Sequence, residues 1–152
     1  MGNRAVIATR DKDIGIYLHW NGGRDSVNAF LAYCKMKGFR SPDVDDYGWA
    51  RLCQVICNYF AGGLSIGIDR YERLDTDNYD NGVYIIEDWN VVGRLFCRYE
   101  PEQNNYDFRE FVIEINNSMP TKEQIPYDEV LKWLDEHEHE YTFDIVRLDN
   151  GE

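Results

Sequence analysis

The chain has 152 residues, of which 43% are hydrophobic and 14% aromatic, and its formal net charge is −12. This length fits one domain, and so much aromatic content excludes a disordered chain. The net negative charge argues against a protein that binds nucleic acid directly. No apolar run approaches the ~18 residues that a membrane span requires, so we expect a soluble protein without a membrane partner.

The negative charge is concentrated in the second half of the chain. Residues 1–68 contain six acidic and eight basic residues, whereas residues 69–152 contain 22 acidic and eight basic residues. Net charge governs steering and non-specific association, while core burial decides the fold. The asymmetry is therefore evidence about partners.

In chain order, the first elements are a β-hairpin and a helix. β-branched and aromatic residues in segments 4–9 and 13–20 predict two short strands joined by a polar turn. From Asp25 onward the apolar residues recur with the period of a helix, and Asp25 or Ser26 can act as its N-cap. We expect the first helix at about residues 25–37.

The second helix has the strongest periodic signal in the chain. An apolar stripe with spacings of three and one follows Pro42, which can occupy the first turn of the helix, and Gly62 ends the stripe. Segment 64–68 predicts an extended strand, and the polar segment 69–81 predicts a loop. The stripe consists of Trp49, Leu52, Cys53, Ile56, Cys57 and Phe60.

Segments 82–87 and 90–99 predict two further strands. The short connection between them favours an antiparallel pair, which we place at the centre of an antiparallel sheet. Helices before and after these strands must bury their apolar stripes against the sheet. The sequence thus predicts one α+β domain over residues 1–152.

The C-terminal part predicts two helices and a strand. Phe108, Phe111, Val112 and Ile115 fit a helix better than the alternating pattern of a strand. A last helix begins near Thr121 or Pro126, and segment 141–146 predicts a closing strand. The inner face of that last helix comprises Tyr127, Val130, Leu131 and Leu134.

Two motifs resemble catalytic or ligand sites. Gly63, Ser65 and Gly67 match G-x-S-x-G, but a nucleophile elbow needs a strand before the serine and a helix after it, and the prediction here is the reverse. We therefore expect no enzyme.

The glycine turn from Asn21 to Asp25 precedes a helix and can bind an anion, although the Asp25 carboxylate competes for the same N–H groups. This anion-binding module is the alternative function.

Metal binding is a lesser alternative to ordinary packing. Cys53 and Cys57 lie four residues apart on one helix, and Cys34 lies on the apolar face of the neighbouring helix, so three thiolates can in principle meet at zinc, with His19 as a speculative fourth ligand. Buried cysteine also packs as a small hydrophobic residue, which is the reading we favour. The acidic run after Asp75 lacks the glycine and glutamate of an EF-hand, so we expect no resident cofactor.

The acidic segment between residues 69 and 88 is the candidate partner-binding surface. Its carboxylates are interleaved with tyrosine and tryptophan, and carboxylates on a rigid surface can imitate phosphates toward a basic groove. The alternative is a solvated surface that only maintains solubility. The candidate residues are Asp69, Glu72, Asp75, Asp77, Asp80, Glu87 and Asp88.

Segments 3–7, 17–27, 48–52, 64–68 and 81–84 resemble a family of small proteins from phages and integrative elements of Gram-positive bacteria. The family is mostly of unassigned function. In size and acidity the chain is similar to anti-CRISPR proteins. That resemblance implies a DNA mimic in the cytoplasm of a bacterial host, binding a Cas9-type nuclease as its partner.

Overall fold

The described residues form five strands: β1 (Ala5–Ala8), β2 (Ile14–Leu18), β3 (Ile66–Arg70), β4 (Val83–Glu87) and β5 (Asn90–Leu95). They make one mixed sheet in the order β3-β2-β1-β4-β5. The structure is a computed structural model that describes residues 2–62, 65–97 and 106–141. Strands β1 and β4 are parallel, and all other neighbours are antiparallel.

Both predicted hairpins are confirmed, but their placement in the sheet differs from the prediction. Strand β1 is central and β5 is at an edge, so the second hairpin does not form the centre. Asp88 and Trp89 have φ angles of 50° and 62°, which are typical of the tight turn that joins two antiparallel strands. Local turn signals specify each hairpin, whereas the parallel pairing of β1 with β4 depends on long-range packing.

The part of the chain that the structure describes contains four α-helices, as the apolar stripes predicted. They are α1 (Arg24–Met36), α2 (Tyr47–Tyr59), α3 (Phe108–Ser118) and α4 (Tyr127–His137). The N-cap of α1 is Gly23, and neither Asp25 nor Ser26 caps it. Helix α2 begins after Pro42 and not around it, because the backbone turns at Ser41, whose carbonyl accepts the N–H groups of residues 44 and 45.

The helices cover one face of the sheet and supply most of the core. Phe30 of α1, Tyr59 of α2 and Phe111 of α3 form an edge-to-face aromatic cluster with centroid separations between 4.9 and 5.8 Å. Val130 and Leu134 of α4 are buried as predicted, but Tyr127 is 60% exposed because it lies in the first turn, beyond the packed stripe.

The opposite face of the sheet carries a smaller apolar cluster. Its buried members are Val6, Ala8, Val83, Ile85 and Leu95. Tyr71 and Leu74, from the segment that joins β3 to β4, pack against it. That segment therefore crosses the face that the helices leave uncovered.

Two further predictions concern the closing strand and the membrane. Tyr141, the first residue of the predicted closing strand, ends a 3-10 helix, Glu138–Tyr141. The other residues of that strand, 142–146, lie outside the described residues. In the described part of the chain, none of the helices has both the length and the apolarity that crossing a membrane requires.

Candidate functional site

The connection from β3 to β4 contains a loop, residues 75–80, that we call the acidic loop. Asp75, Asp77 and Tyr79 are exposed, whereas Asn78 and Asp80 are buried. The loop therefore alternates side chains that face solvent with side chains that attach it to the domain. Such an arrangement presents charge from a fixed backbone.

Asn78 is the first anchor, and it is only 1% exposed. Its side-chain Nδ2 donates to the carbonyl oxygens of Asp75, at 2.9 Å, and Gly82, at 3.3 Å. Its Oδ1 accepts from the backbone N–H groups of Asp80, at 3.1 Å, and Gly82, at 3.0 Å. One amide thus replaces the backbone hydrogen bonds that a loop otherwise makes with water.

Asp80 is the second anchor. Its Oδ2 accepts from Arg4 Nε at 2.7 Å and from the Arg4 backbone N–H at 3.1 Å. The hydrogen bond from Arg4 to this carboxylate raises the pKa of the guanidinium. Asp80 is 8% exposed, so it attaches the loop to the start of β1 and offers little surface to a partner.

Asn81 and Gly82 follow the acidic loop and connect it to strand β4 of the sheet. Asn81 Nδ2 donates to Asn3 Oδ1 at 2.7 Å, and Arg94 Nη2 donates to the Asn81 carbonyl at 3.0 Å. Gly82 has a φ of +66°, and a Cβ there would lie 2.0 Å from the Leu95 carbonyl oxygen. Only glycine fits this position.

Tyr79 stands at the exposed tip of the acidic loop. Its side chain is 65% exposed and its φ is +62°, a left-handed conformation that costs a non-glycine residue about 1 kcal/mol. The hydrogen bonds of the adjacent Asn78 and Asp80 hold it there. The loop thus retains a large aromatic side chain in solvent at a position that glycine would occupy with less strain.

The other predicted partner-binding residues lie apart from the acidic loop. Asp69 and Glu72 are exposed at the end of β3, where Glu72 pairs with Arg70 at 3.3 Å. Glu87 pairs with Arg10 at 2.9 Å, and Asp88 lies at the tip of the second hairpin. These acids are at the opposite end of β4 from the loop, so the seven residues do not form one continuous patch.

The glycine turn before α1 is occupied by protein groups. The Ser26 N–H bonds to Asp25 Oδ1 at 2.6 Å and to the Gly23 carbonyl at 3.2 Å. The other oxygen of Asp25 accepts the Tyr106 N–H at 2.8 Å, and Gly22 donates its N–H to the Asn3 carbonyl. The carboxylate of Asp25 thus sits where an anion would bind.

The three cysteines do not assemble a metal centre. Among the described residues no group of three potential ligands converges, and Cys34 is fully buried. Burial raises the pKa of the Cys34 thiol, and burial together with Cys57 raises that of Cys53. Both effects favour the neutral thiol, which is a poor metal ligand.

The G-x-S-x-G motif lies between a helix and a strand. Gly63 lies outside the described residues, and a helix precedes Ser65 while a strand follows it, as predicted.

Sequence reasoning identified the acids but not the side chains that position them. The available signal was the run of Asn78, Asp80, Asn81 and Gly82, residue types that hydrogen-bond to their own backbone and form turns. The pairing of Asp80 with Arg4 spans 76 positions, and no local pattern predicts it.

The fold and the loop define a single-domain α+β protein with a rigid acidic projection. Comparison with protein-family models, curated proteins and solved structures finds no match for this chain. A functional assignment therefore rests on the geometry of the chain itself.

Proposed function

We propose that the acidic loop docks into the basic nucleic-acid groove of a partner protein and competes there with nucleic acid. The class of partner that we propose is a Cas9-type CRISPR effector nuclease, which makes the chain a non-enzymatic, anti-CRISPR-type inhibitor. The groove of such an effector holds its heteroduplex mainly through contacts to the backbone. Carboxylates on a fixed scaffold can occupy the same positive sites.

The observation that carries this proposal is the pre-organisation of Asp75, Asp77 and Tyr79. Their backbone is held by Asn78 and Asp80, so little loop ordering is required on binding. Rigid segments bind with a smaller entropic penalty than flexible ones. A surface acid on a mobile tail would not have this advantage.

Tyr79 adds an aromatic contact between the charges. An exposed tyrosine ring can stack on an arginine guanidinium, and arginines line grooves that bind phosphates. Aromatic residues are also enriched among those that dominate interface energetics. Asp75 and Asp77 would then steer the encounter, while Tyr79 would provide short-range contact.

The contact surface that we propose is smaller than the sequence suggested. Asp80 serves the fold, because it is buried against Arg4. Asp69, Glu72, Glu87 and Asp88 remain exposed and contribute to the field that steers association. Glu72 and Glu87 are partly neutralised by their arginine partners, and Asp88 is partly neutralised by Lys35 at 3.8 Å.

Affinity capture from a CRISPR-bearing host, followed by DNA cleavage, tests the proposal. The tagged chain should retain an effector nuclease at about 0.05 M salt and lose most of it at about 0.5 M, because exposed charges are screened within a few ångströms at high salt. Added chain should then inhibit DNA cleavage by the recovered nuclease. Recovery of a nuclease whose cleavage is unaffected would contradict inhibition by groove competition.

A further inference from the structure

A second candidate site lies at the opposite end of β4 from the acidic loop. A cavity of about 190 Å³ is lined by Gly38, Phe39, Arg40, Tyr47 and Arg51. Two of these five residues are arginines, in a chain whose net charge is −12. The five lining residues therefore include two cationic side chains and no carboxylate.

Both guanidinium groups are gathered around one tyrosine ring. The Arg40 guanidinium carbon lies 5.4 Å from the centroid of Tyr47, and that of Arg51 lies 5.8 Å from it. Arg51 also lies 5.9 Å from the ring centroid of Phe39. Cation–π contacts with this ring favour the presence of both guanidinium groups at the cavity.

Asp45 fixes two walls of the cavity. Its Oδ2 pairs with Arg40 Nε at 2.9 Å, and its Oδ1 accepts the Tyr47 backbone N–H at 3.0 Å. This ion pair uses Nε, so the two terminal nitrogens of Arg40 can donate to a ligand. Among the described residues, Arg51 forms no ion pair with a carboxylate.

The floor of the cavity is attached to the sheet. Trp89, at the tip of the second hairpin, is buried and donates its indole N–H to the Phe39 carbonyl at 2.7 Å. Gly38 has a φ of +77°, and a Cβ built there would meet no atom within 4 Å. The floor is thus fixed, and the space above Gly38 is open.

We propose that this cavity binds the phosphate group of a small ligand, either free phosphate or a phosphomonoester. Planar guanidinium groups match phosphate oxygens through paired N–H···O contacts, and arginine is the residue best suited to such recognition. The volume accommodates a phosphate with a small attached group but not a folded macromolecule. The site is independent of the acidic loop.

A titration of the ¹⁵N-labelled chain with inorganic phosphate, followed by NMR, tests this site. We expect saturable shift changes confined to residues 38–51. Arg51→Gln should weaken binding at least about tenfold, because a charged hydrogen-bond donor is lost. Arg70→Gln, which removes another exposed arginine, on β3, should leave binding unchanged. Equal weakening in both variants, or no saturation by about 20 mM phosphate, would overturn the proposal.

Ribose 5-phosphate distinguishes the two sources of the group. Tighter binding than that of inorganic phosphate assigns the site to a phosphomonoester, and equal or weaker binding assigns it to free phosphate. Reversing Asp75 and Asp77 to lysine should leave either titration unchanged. Failure of the phosphate site and failure of the inhibitor proposal are therefore separate results.

Discussion

At the scale of single residues, Asn78 controls the shape of the acidic loop. Its side chain makes four hydrogen bonds to the backbone of Asp75, Asp80 and Gly82. Asn78→Ala leaves those buried groups without partners, and we expect it to lower the free energy of unfolding by about 3 kcal/mol. Urea unfolding followed by circular dichroism measures this loss. A loss below about 1 kcal/mol would show that the amide does not anchor the loop.

Tyr79 allows stability and binding to be separated. Tyr79→Gly relieves the left-handed strain, so we expect the free energy of unfolding to rise by up to about 1 kcal/mol. Inhibition should weaken, because the exposed ring is lost. Thermal unfolding and the cleavage assay, run on the same preparation, test both expectations. A variant that is more stable and inhibits fully would exclude Tyr79 from the contact.

At the scale of elements, the packing of α3 against α1 and α2 depends on Phe111. This ring is fully buried and lies 5.6 Å from Phe30 and 4.9 Å from Tyr59 between centroids. Phe111→Ala should lower the free energy of unfolding by about 3–5 kcal/mol, because it removes a buried ring and leaves a cavity. Chemical denaturation measures the change. As a control, Glu114→Ala on the exposed face of α3 should alter stability by less than about 0.5 kcal/mol.

The elements also show how far the sequence predicts the fold. Apolar stripes predicted all four helices, because burial of one helix face imposes a local period on the chain. The start of α2 was not fixed by the sequence pattern, since Pro42 fits the first turn of a helix as well as a turn that precedes one. The pairing of β1 with β4 was missed, because Val6 and Val83 are 77 positions apart in the sequence. The same limit applies to the candidate site. Composition was enough to predict its acidic residues, but the side chains that anchor the loop could not be predicted from it.

At the scale of the whole molecule, buried tyrosines make stability sensitive to alkaline pH. Burial is the largest cause that raises the pKa of Tyr33, Tyr59 and Tyr141 above the ordinary value, to about 12 for Tyr59. The folded state therefore holds these protons more tightly than the unfolded state, so stability is full below about pH 10 and falls as the pH rises toward 12 and beyond. Urea unfolding at about pH 8 and about pH 11 checks the decline.

The Tyr59→Phe variant is the matched control for that decline. It removes one titrating group and retains the ring, so its stability should fall less between the two pH values than that of the parent chain. An identical decline in both proteins would show that Tyr59 does not contribute.

The central claim is that the position of the acids, and not the net charge, makes the chain an inhibitor. Asp75→Lys/Asp77→Lys and Glu129→Lys/Glu136→Lys raise the net charge equally, and all four residues are exposed. The second pair lies on α4, away from the loop. The direct measurement is the concentration of each variant that halves DNA cleavage by the captured nuclease. We predict at least about a hundredfold increase for the loop pair and less than about fivefold for the α4 pair. Equal effects of the two pairs, or no effect of the loop pair, would contradict the claim.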